Sequence, residues 1–329
     1  MSGPGTIVLA QPRGFCAGVR RAIGIVERAL DLHGAPVYVR KEIVHNHYIV
    51  SELEKRGAVF VDSEEDVPPG AVCVFSAHGV APAVRASAER RGLEVIDATC
   101  PLVAKVHQEA LRFARDGRTI LLVGHAGHEE VDGVLGEAPE RTIVVESAAD
   151  VDRLDLPAGT PVAFLTQTTL SFDETAKVVE ALRARFPGIV SPGGDDICYA
   201  SQNRQNAVKD LARRHDLVLV VGSANSSNSL RMVEVAREHG CRAHLVPDRG
   251  HLRPEWLDGV SGIGVSAGAS APEILVDGVL DRLAELGWSR VEVQRAVPED
   301  VVFSMPARLA DPLTGRIPRT PLADEPRAR

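Results

Sequence analysis

With 329 residues, 44% of them apolar and 25% charged, the chain is long enough for two or three compact domains and too balanced in composition for a disordered or fibrous protein. A formal net charge of −8 excludes a broad electropositive face for nucleic acid, while leaving room for a local anion site. Its apolar runs, such as 217–221, are far too short to span a bilayer, and the start Met1-Ser2-Gly3-Pro4-Gly5 has neither a basic nor an apolar signal region; both point to a cytoplasmic protein with no membrane partner.

Short Val/Ile/Leu-rich runs follow one another at 6–10, 37–40, 72–76, 94–97, 119–124, 142–146, 161–166, 217–222, 242–246 and 262–266. Continuous apolar runs suit strands buried on both faces, and the stretches between them carry helical spacing. Alternating β and α elements predict an α/β fold with parallel sheets.

A repeat organises these elements. Cys16, Cys100 and Cys198 each open a helix-like segment, and a polar loop after a strand follows at His45, His128 and Ser226. Counting from 16 to 45, 100 to 128 and 198 to 226 gives 29, 28 and 28 residues. A second post-strand loop in each unit holds His78, Thr168 and Ser270. Three similar units are expected, at 14–99, 100–197 and 198–305, with the N-terminal strand 5–13 joining the last. From 306 to 329 the Pro- and charge-rich sequence reads as an arm and a disordered tail. In parallel sheets the loops after strands line the ligand crevice, so the units can pool their cysteines and loops at one centre.

In a cytosolic chain the five cysteines need an explanation other than disulfides. Cys73 and Cys241 sit against apolar strands and read as core filler. Cys16, Cys100 and Cys198 stand at helix starts, where the dipole favours a thiolate, so a lowered thiol pKa is expected there. Gly14 and Gly18 flank the first, and Pro101 follows the second. The spacing alone leaves nucleophile, metal ligand and structural roles open.

The loops add His45 in EIVHN, His78 in SAHGV, and His125 and His128 in GHAGHEEVDG. Residues 223–229 and 267–272 are rich in Ser, Asn and Gly, and such turns offer donors to phosphate oxygens as well as plain helix caps. Neither holds Lys or Arg, so neutral donors and His are expected to carry anion binding. Glu129 and Glu130 follow His128; adjacent residues at a helix start do not share a face, so one is expected to enter the cavity and the other to point away.

RGFCAGV, EIVHN, SAHGV, DATCP, GHAGHEEVDG, TQTTLS, DDICYA, VVGSANSSNS and SAGASAP together resemble the 4-hydroxy-3-methylbut-2-enyl diphosphate reductase family, the last enzymes of the non-mevalonate isoprenoid pathway. The resemblance runs from about Ile7 to Met305. It implies a pseudo-threefold trefoil of three α/β units around a central cluster. It implies a [4Fe–4S] cluster held through three irons by Cys16, Cys100 and Cys198, with the fourth iron open to substrate. It further implies that His45, His78, His128, Ser226, Ser227, Asn228 and Ser270 bind the substrate, mainly its diphosphate, with Thr168 near the substrate hydroxyl and Glu130 delivering the proton. The implied electron donor is ferredoxin or flavodoxin, and the products are isopentenyl and dimethylallyl diphosphates. The chain departs from the family pattern at Arg20, at Lys41 and His47 around EIVHN, and at Glu129, where proline is usual. Two other classes remain as alternatives: a zinc-dependent hydrolase using His125, His128 and a carboxylate, and a non-enzymatic iron–sulfur sensor.

Overall fold

A computed structural model describes residues 5–157, 159–309 and 321–323. The described strands form three sheets, and every pairing in them is parallel. In chain order the strands are β1 (Thr6–Gln11), β2 (Val37–Arg40), β3 (Ala58–Val61), β4 (Val72–Phe75), β5 (Glu94–Asp97), β6 (Thr119–Val123), β7 (Thr142–Val145), β8 (Val162–Thr166), β9 (Leu217–Val221), β10 (Arg242–Val246), β11 (Gly262–Ala267) and β12 (Val291–Arg295). The helices between them are α1 (Ala17–His33), α2 (His47–Lys55), α3 (Pro82–Arg90), α4 (Pro101–Arg115), α5 (Glu129–Leu135), α6 (Ala148–Arg153), α7 (Phe172–Arg185), α8 (Tyr199–Ala212), α9 (Ser227–Glu238) and α10 (Glu273–Glu285).

The sheet orders are β3-β2-β4-β5, β7-β6-β8 and β10-β9-β11-β1-β12. Each contains the same three-strand pattern: the strand after a cysteine helix lies in the middle, the next strand goes to one side, and the following strand to the other. A crevice therefore opens at the carboxyl ends of β2 and β4, of β6 and β8, and of β9 and β11, where the winding reverses. The polar loops of the repeat emerge at those three places. The N-terminal β1 completes the third sheet, in register with β11 from Thr6↔Gly262 to Leu9↔Val265.

The strands expected from continuous apolar runs are all present within a residue or so. Two more, β3 and β12, were not anticipated. Both are edge strands, paired on one side only, and β12 (VEVQR) is largely exposed, so neither needs the doubly buried apolar run that marks an interior strand. Leu217, Leu219, Val221, Ile263 and Val265 are fully buried in the third core, and Ile120, Leu122 and Leu165 in the second.

Of the C-terminal arm and tail, residues 306–309 and 321–323 lie among the described ones and pack on α1. Leu309 and Ala323 join the core around that helix. Arg28 donates to the Leu309 carbonyl at 2.8 Å, and the buried Glu27 carboxylate accepts from Leu322 N–H at 3.0 Å and Ala323 N–H at 3.1 Å. The rest of the expected tail lies outside the described residues.

Candidate functional site

The three helix-opening cysteines meet. Each is the N-cap of its helix, α1, α4 and α8, and each backbone N–H is held by the second loop of another unit. Cys100 N–H donates to Ala77 O at 3.0 Å, Cys198 N–H to Thr168 O at 3.0 Å, and Cys16 N–H to Ala269 O at 3.2 Å. The three bonds form a closed ring, unit to unit. Fully buried Arg204 supports it by donating twice to the Gly14 carbonyl, at 2.6 and 3.1 Å, just before Cys16.

All three sulfurs line one cavity of 110 Å³, together with His45, His78, His128, Glu130, Thr168, Ser226, Ser227, Asn228 and Ser270. Gly18 makes room for two of the thiols: a Cβ on it would lie 2.7 Å from Cys100 Sγ and 3.8 Å from Cys16 Sγ. A larger cleft of 520 Å³ between α7 and residues 191–197 contains none of these cysteines and histidines. Cys73 and Cys241 are buried elsewhere.

The expectation of lowered thiol pKa values does not hold for two of the three. Burial and the nearby Cys16 push Cys100 up to about 12, and the same causes push Cys198 up to about 11 despite hydrogen bonds from Ser201. Desolvation by burial outweighs the helix dipole, which acts only within the first turn. Such thiols release their protons when a cation arrives to stabilise the thiolates.

The three histidines of the same cavity group together. The His45 and His78 rings stack at 4.1 Å between centroids and 18° between planes, and His128 stands edge-on to both, at 5.7 and 6.1 Å. His128 caps α5 through Nδ1, which accepts from Glu130 N–H at 3.2 Å, so this nitrogen carries no proton and Nε2 holds it. That Nε2 is buried without a protein partner. Burial beside two other imidazoles lowers the His128 pKa to about 3, so the ring is neutral.

Glu130 is 1% exposed, and both its oxygens face Thr168: the Thr168 N–H donates to Oε1 at 2.6 Å and the hydroxyl to Oε2 at 2.9 Å. Burial raises its pKa to about 7, against the pull of those hydrogen bonds. A carboxylic acid half protonated at neutral pH is suited to proton delivery. Glu129 leaves the cavity lining, as expected of the second carboxylate, but it does not point clear of the site: its Oε2 lies 3.0 Å from His78 Nδ1.

Hydroxyl chemistry fixes the direction of the donors. Ser226 Oγ accepts from Ser229 N–H at 3.3 Å and from Ser229 Oγ at 3.1 Å, which leaves its own proton to donate. Gln167 Nε2 donates to Thr169 Oγ1 at 2.8 Å, and Thr169 donates to Ser227 Oγ at 3.0 Å, so the Ser227 proton is likewise left over. The Asn228 amide is already engaged, accepting from Ala269 N–H at 2.9 Å and reaching Ser201 Oγ at 3.4 Å. Ser270 donates to the His45 carbonyl at 2.9 Å. Asn228 therefore ties two loops to α8 within the third unit, and Ser270 ties the third unit to the first.

The metal set of the hydrolase reading is not assembled. His125 lies outside the cavity lining, and the histidine and carboxylate atoms that approach one another, within 4.8 Å, are those of His45, His78 and Glu129.

The LytB protein family matches residues 7–284 of this chain. The chain belongs to the LytB family. A 4-hydroxy-3-methylbut-2-enyl diphosphate reductase of Leifsonia xyli subsp. xyli is 56% identical over 315 residues, covering 95% of this chain and 94% of that one. The reductase of the same name from Nocardia farcinica is 58% identical over 304 residues, covering 92% and 90%. Among solved structures, the E-1-hydroxy-2-methyl-but-2-enyl-4-diphosphate reductase from Plasmodium falciparum matches with a TM-score of 0.90 at 37% identity, covering 93% of this chain and 97% of that one.

Within this LytB chain the reading of the sequence missed Gln167, Thr169 and Glu42 as individual site residues. Gln167 is 1% exposed; besides its bond to Thr169, its Oε1 accepts from His125 N–H at 3.0 Å. Glu42 accepts from Asn225 Nδ2 of the third unit at 2.7 Å and lies 3.3 Å from His45 Nδ1. The signal was present in the motifs TQTTLS and EIVHN, but Ser227 and Asn225, which Thr169 and Glu42 engage, come from the third unit and stand at no fixed sequence spacing.

Proposed function

We propose that this chain reduces 4-hydroxy-3-methylbut-2-enyl diphosphate to isopentenyl and dimethylallyl diphosphates in the cytoplasm, with a [4Fe–4S] cluster held by Cys16, Cys100 and Cys198. The reaction consumes two electrons and two protons and releases water; ferredoxin or flavodoxin supplies the electrons. The observation that carries the reading is the convergence of three cysteine sulfurs, a buried acid of pKa about 7 and a wall of hydroxyl and imidazole groups on one cavity. The cysteine side fits a cluster. Its sulfurs gather from three helix starts where Gly18 leaves no Cβ in the way, and three thiolate ligands leave a fourth iron free.

When bound, the cluster supplies electrons and a Lewis-acidic iron. The chain does the rest. Ser226 and Ser227 direct spare hydroxyl protons toward the diphosphate, and His45, His78 and His128 offer ring nitrogens to it. Asn228 and Ser270 close the loops that shape this pocket. The Thr168 hydroxyl stands beside the substrate hydroxyl and shares its proton with Glu130. In the protonated form Glu130 donates to Thr168 Oγ1, which passes its own proton to the departing oxygen. An allylic hydroxyl is a poor leaving group until it is protonated, so this relay acts where charge develops. Burial of both Glu130 and Thr168 excludes bulk water from the pair.

Anaerobic reconstitution followed by a viologen-linked assay with the allylic diphosphate tests the reading. Turnover with formation of both five-carbon diphosphates is expected, and it should vanish, with cluster absorbance, in Cys16→Ser, Cys100→Ser and Cys198→Ser but not in Cys73→Ser or Cys241→Ser. A full cluster in Cys198→Ser, or a loaded protein inert toward the substrate, refutes it.

A further inference from the structure

Glu129 is the first residue of α5, in the second unit, while His78 follows β4 in the first. Their contact therefore crosses between units. The His78 ring lines the cavity and Glu129 does not, so the carboxylate sits behind the ring, 3.0 Å from Nδ1, with Ser76 Oγ 3.3 Å from the same nitrogen. Glu42 stands in the same relation to His45: it too is outside the lining, with Oε2 3.3 Å from Nδ1. The two stacked rings thus each have a carboxylate behind them. His128 has none, because its Nδ1 faces the Glu130 N–H.

A carboxylate at Nδ1 fixes the ring orientation, keeps a proton on that nitrogen and leaves Nε2 to face the cavity. The cavity lining contains no Lys or Arg, although a diphosphate is multiply charged. Two imidazolium rings stacked at 4.1 Å would repel each other unless each had its own counter-ion. We infer that Glu129 is the counter-ion that lets His78 take up a proton as a diphosphate enters, making Glu129 a positioning residue that sets affinity for this class of anion. The inference rests on the diphosphate reading of the cavity and adds to it a residue outside the cavity lining.

The groups facing these rings set the sign of the effect. His78 is surrounded by His45, His128, Glu42 and Glu129; burial and His45 hold its pKa below the ordinary value while Glu129 pulls it up. Glu129 in turn faces His78, His45 and Lys41, and its own pKa is lowered mainly by its bond to His78, against burial. Glu42 faces His45, His47 and Asn225. The empty His78 ring is therefore largely neutral at neutral pH, and the proton arrives with the anion. Without Glu129 both the empty and the occupied ring lose their counter-charge, so binding weakens and protonation moves to lower pH.

Calorimetric titration of the cluster-loaded protein with inorganic diphosphate, in buffers of different ionisation enthalpy at about pH 6 and about pH 8, tests this in the window where imidazole titrates. Wild type should take up protons on binding and bind more weakly at the higher pH. Glu129→Gln, which keeps an acceptor but loses the charge, should bind about tenfold more weakly at the higher pH, the scale of one charge-assisted hydrogen bond. It should also take up fewer protons, whereas Glu129→Asp should restore most of both. Equal iron content in all three proteins shows that the fold and cluster site are retained. Absence of proton uptake by wild type overturns the inference, as does tighter binding by Glu129→Gln, the result if the carboxylate merely repelled the anion. The reductase assay on wild type is a separate readout: proton-coupled binding of diphosphate without turnover would sink the proposed reaction and leave this inference standing.

Discussion

Replacing Gly18 by alanine probes whether the Cys16 and Cys100 sulfurs belong to one group. The new methyl would lie 2.7 Å from Cys100 Sγ and 3.5 Å from its Cβ. The first distance is about 1 Å inside the favourable separation for non-bonded heavy atoms. The backbone of Cys100 has little freedom to retreat, since its N–H is tied to Ala77 O at 3.0 Å and Pro101 begins α4 directly after it. The strain therefore falls on the thiol, which must rotate away, or on α1. Overpacking of this kind costs about 1–3 kcal/mol, and the better helix propensity of alanine returns up to ~1 kcal/mol. The cluster-free protein should then melt within about 6 °C of wild type. Loading is a different matter, because turning the Cys100 sulfur away removes one of the three proposed ligands. Anaerobic reconstitution with iron and sulfide analysis should give a protein that retains little iron and no reductase activity. Wild-type iron content in Gly18→Ala would refute the placement of the two sulfurs around one group.

Three further outcomes follow from the hydrogen-bond geometry. Ser226→Ala removes a hydroxyl whose proton is left over for the anion, and should weaken substrate binding by roughly 1.5–3 kcal/mol at unchanged iron content; equal affinity by titration would dismiss the assignment. On the proposed relay the acid form of Glu130 delivers the proton, and burial raises its pKa to about 7, so turnover should be full below that pH and fall as pH rises through it. Glu130→Gln should lose about 100-fold or more in turnover and should lack this alkaline decline, so a surviving decline at matched cluster content assigns it to another group. The same raised pKa makes Glu130 a stabilising group below the ordinary carboxylate range, an advantage lost as pH rises through about 7. Arg204→Ala leaves the Gly14 carbonyl and the Glu299 carboxylate without the buried guanidinium that now binds both, and should cost about 3–5 kcal/mol in denaturant unfolding; a midpoint near that of wild type would show that the Cys16 turn holds itself.

Much of the architecture was written in local pattern. Continuous apolar runs located the interior strands, because a strand covered on both faces must be apolar at every position. The regular spacing from each cysteine to the next polar loop disclosed three units, because a helix followed by a strand consumes a nearly fixed length of chain. Those same rules passed over β3 and β12, since an edge strand is less constrained by burial.

The tertiary structure decided what depends on distance between units. Helix position alone argued for lowered thiol pKa values, yet Cys100 and Cys198 are pushed up because the ring of loops desolvates them and brings Cys16 close. Helix periodicity separated Glu129 from Glu130 correctly at the cavity wall, but it could not show that Glu129 reaches His78, 51 residues earlier. Gln167 and Thr169 likewise acquire their meaning from Ser227, some 60 residues later. Sequence determines which side chains a segment carries and how far apart they stand along one helix or strand, because backbone geometry repeats. Desolvation, mutual repulsion and hydrogen-bond direction depend on which segments face each other, and that is set only when three separate sheets close around one cavity.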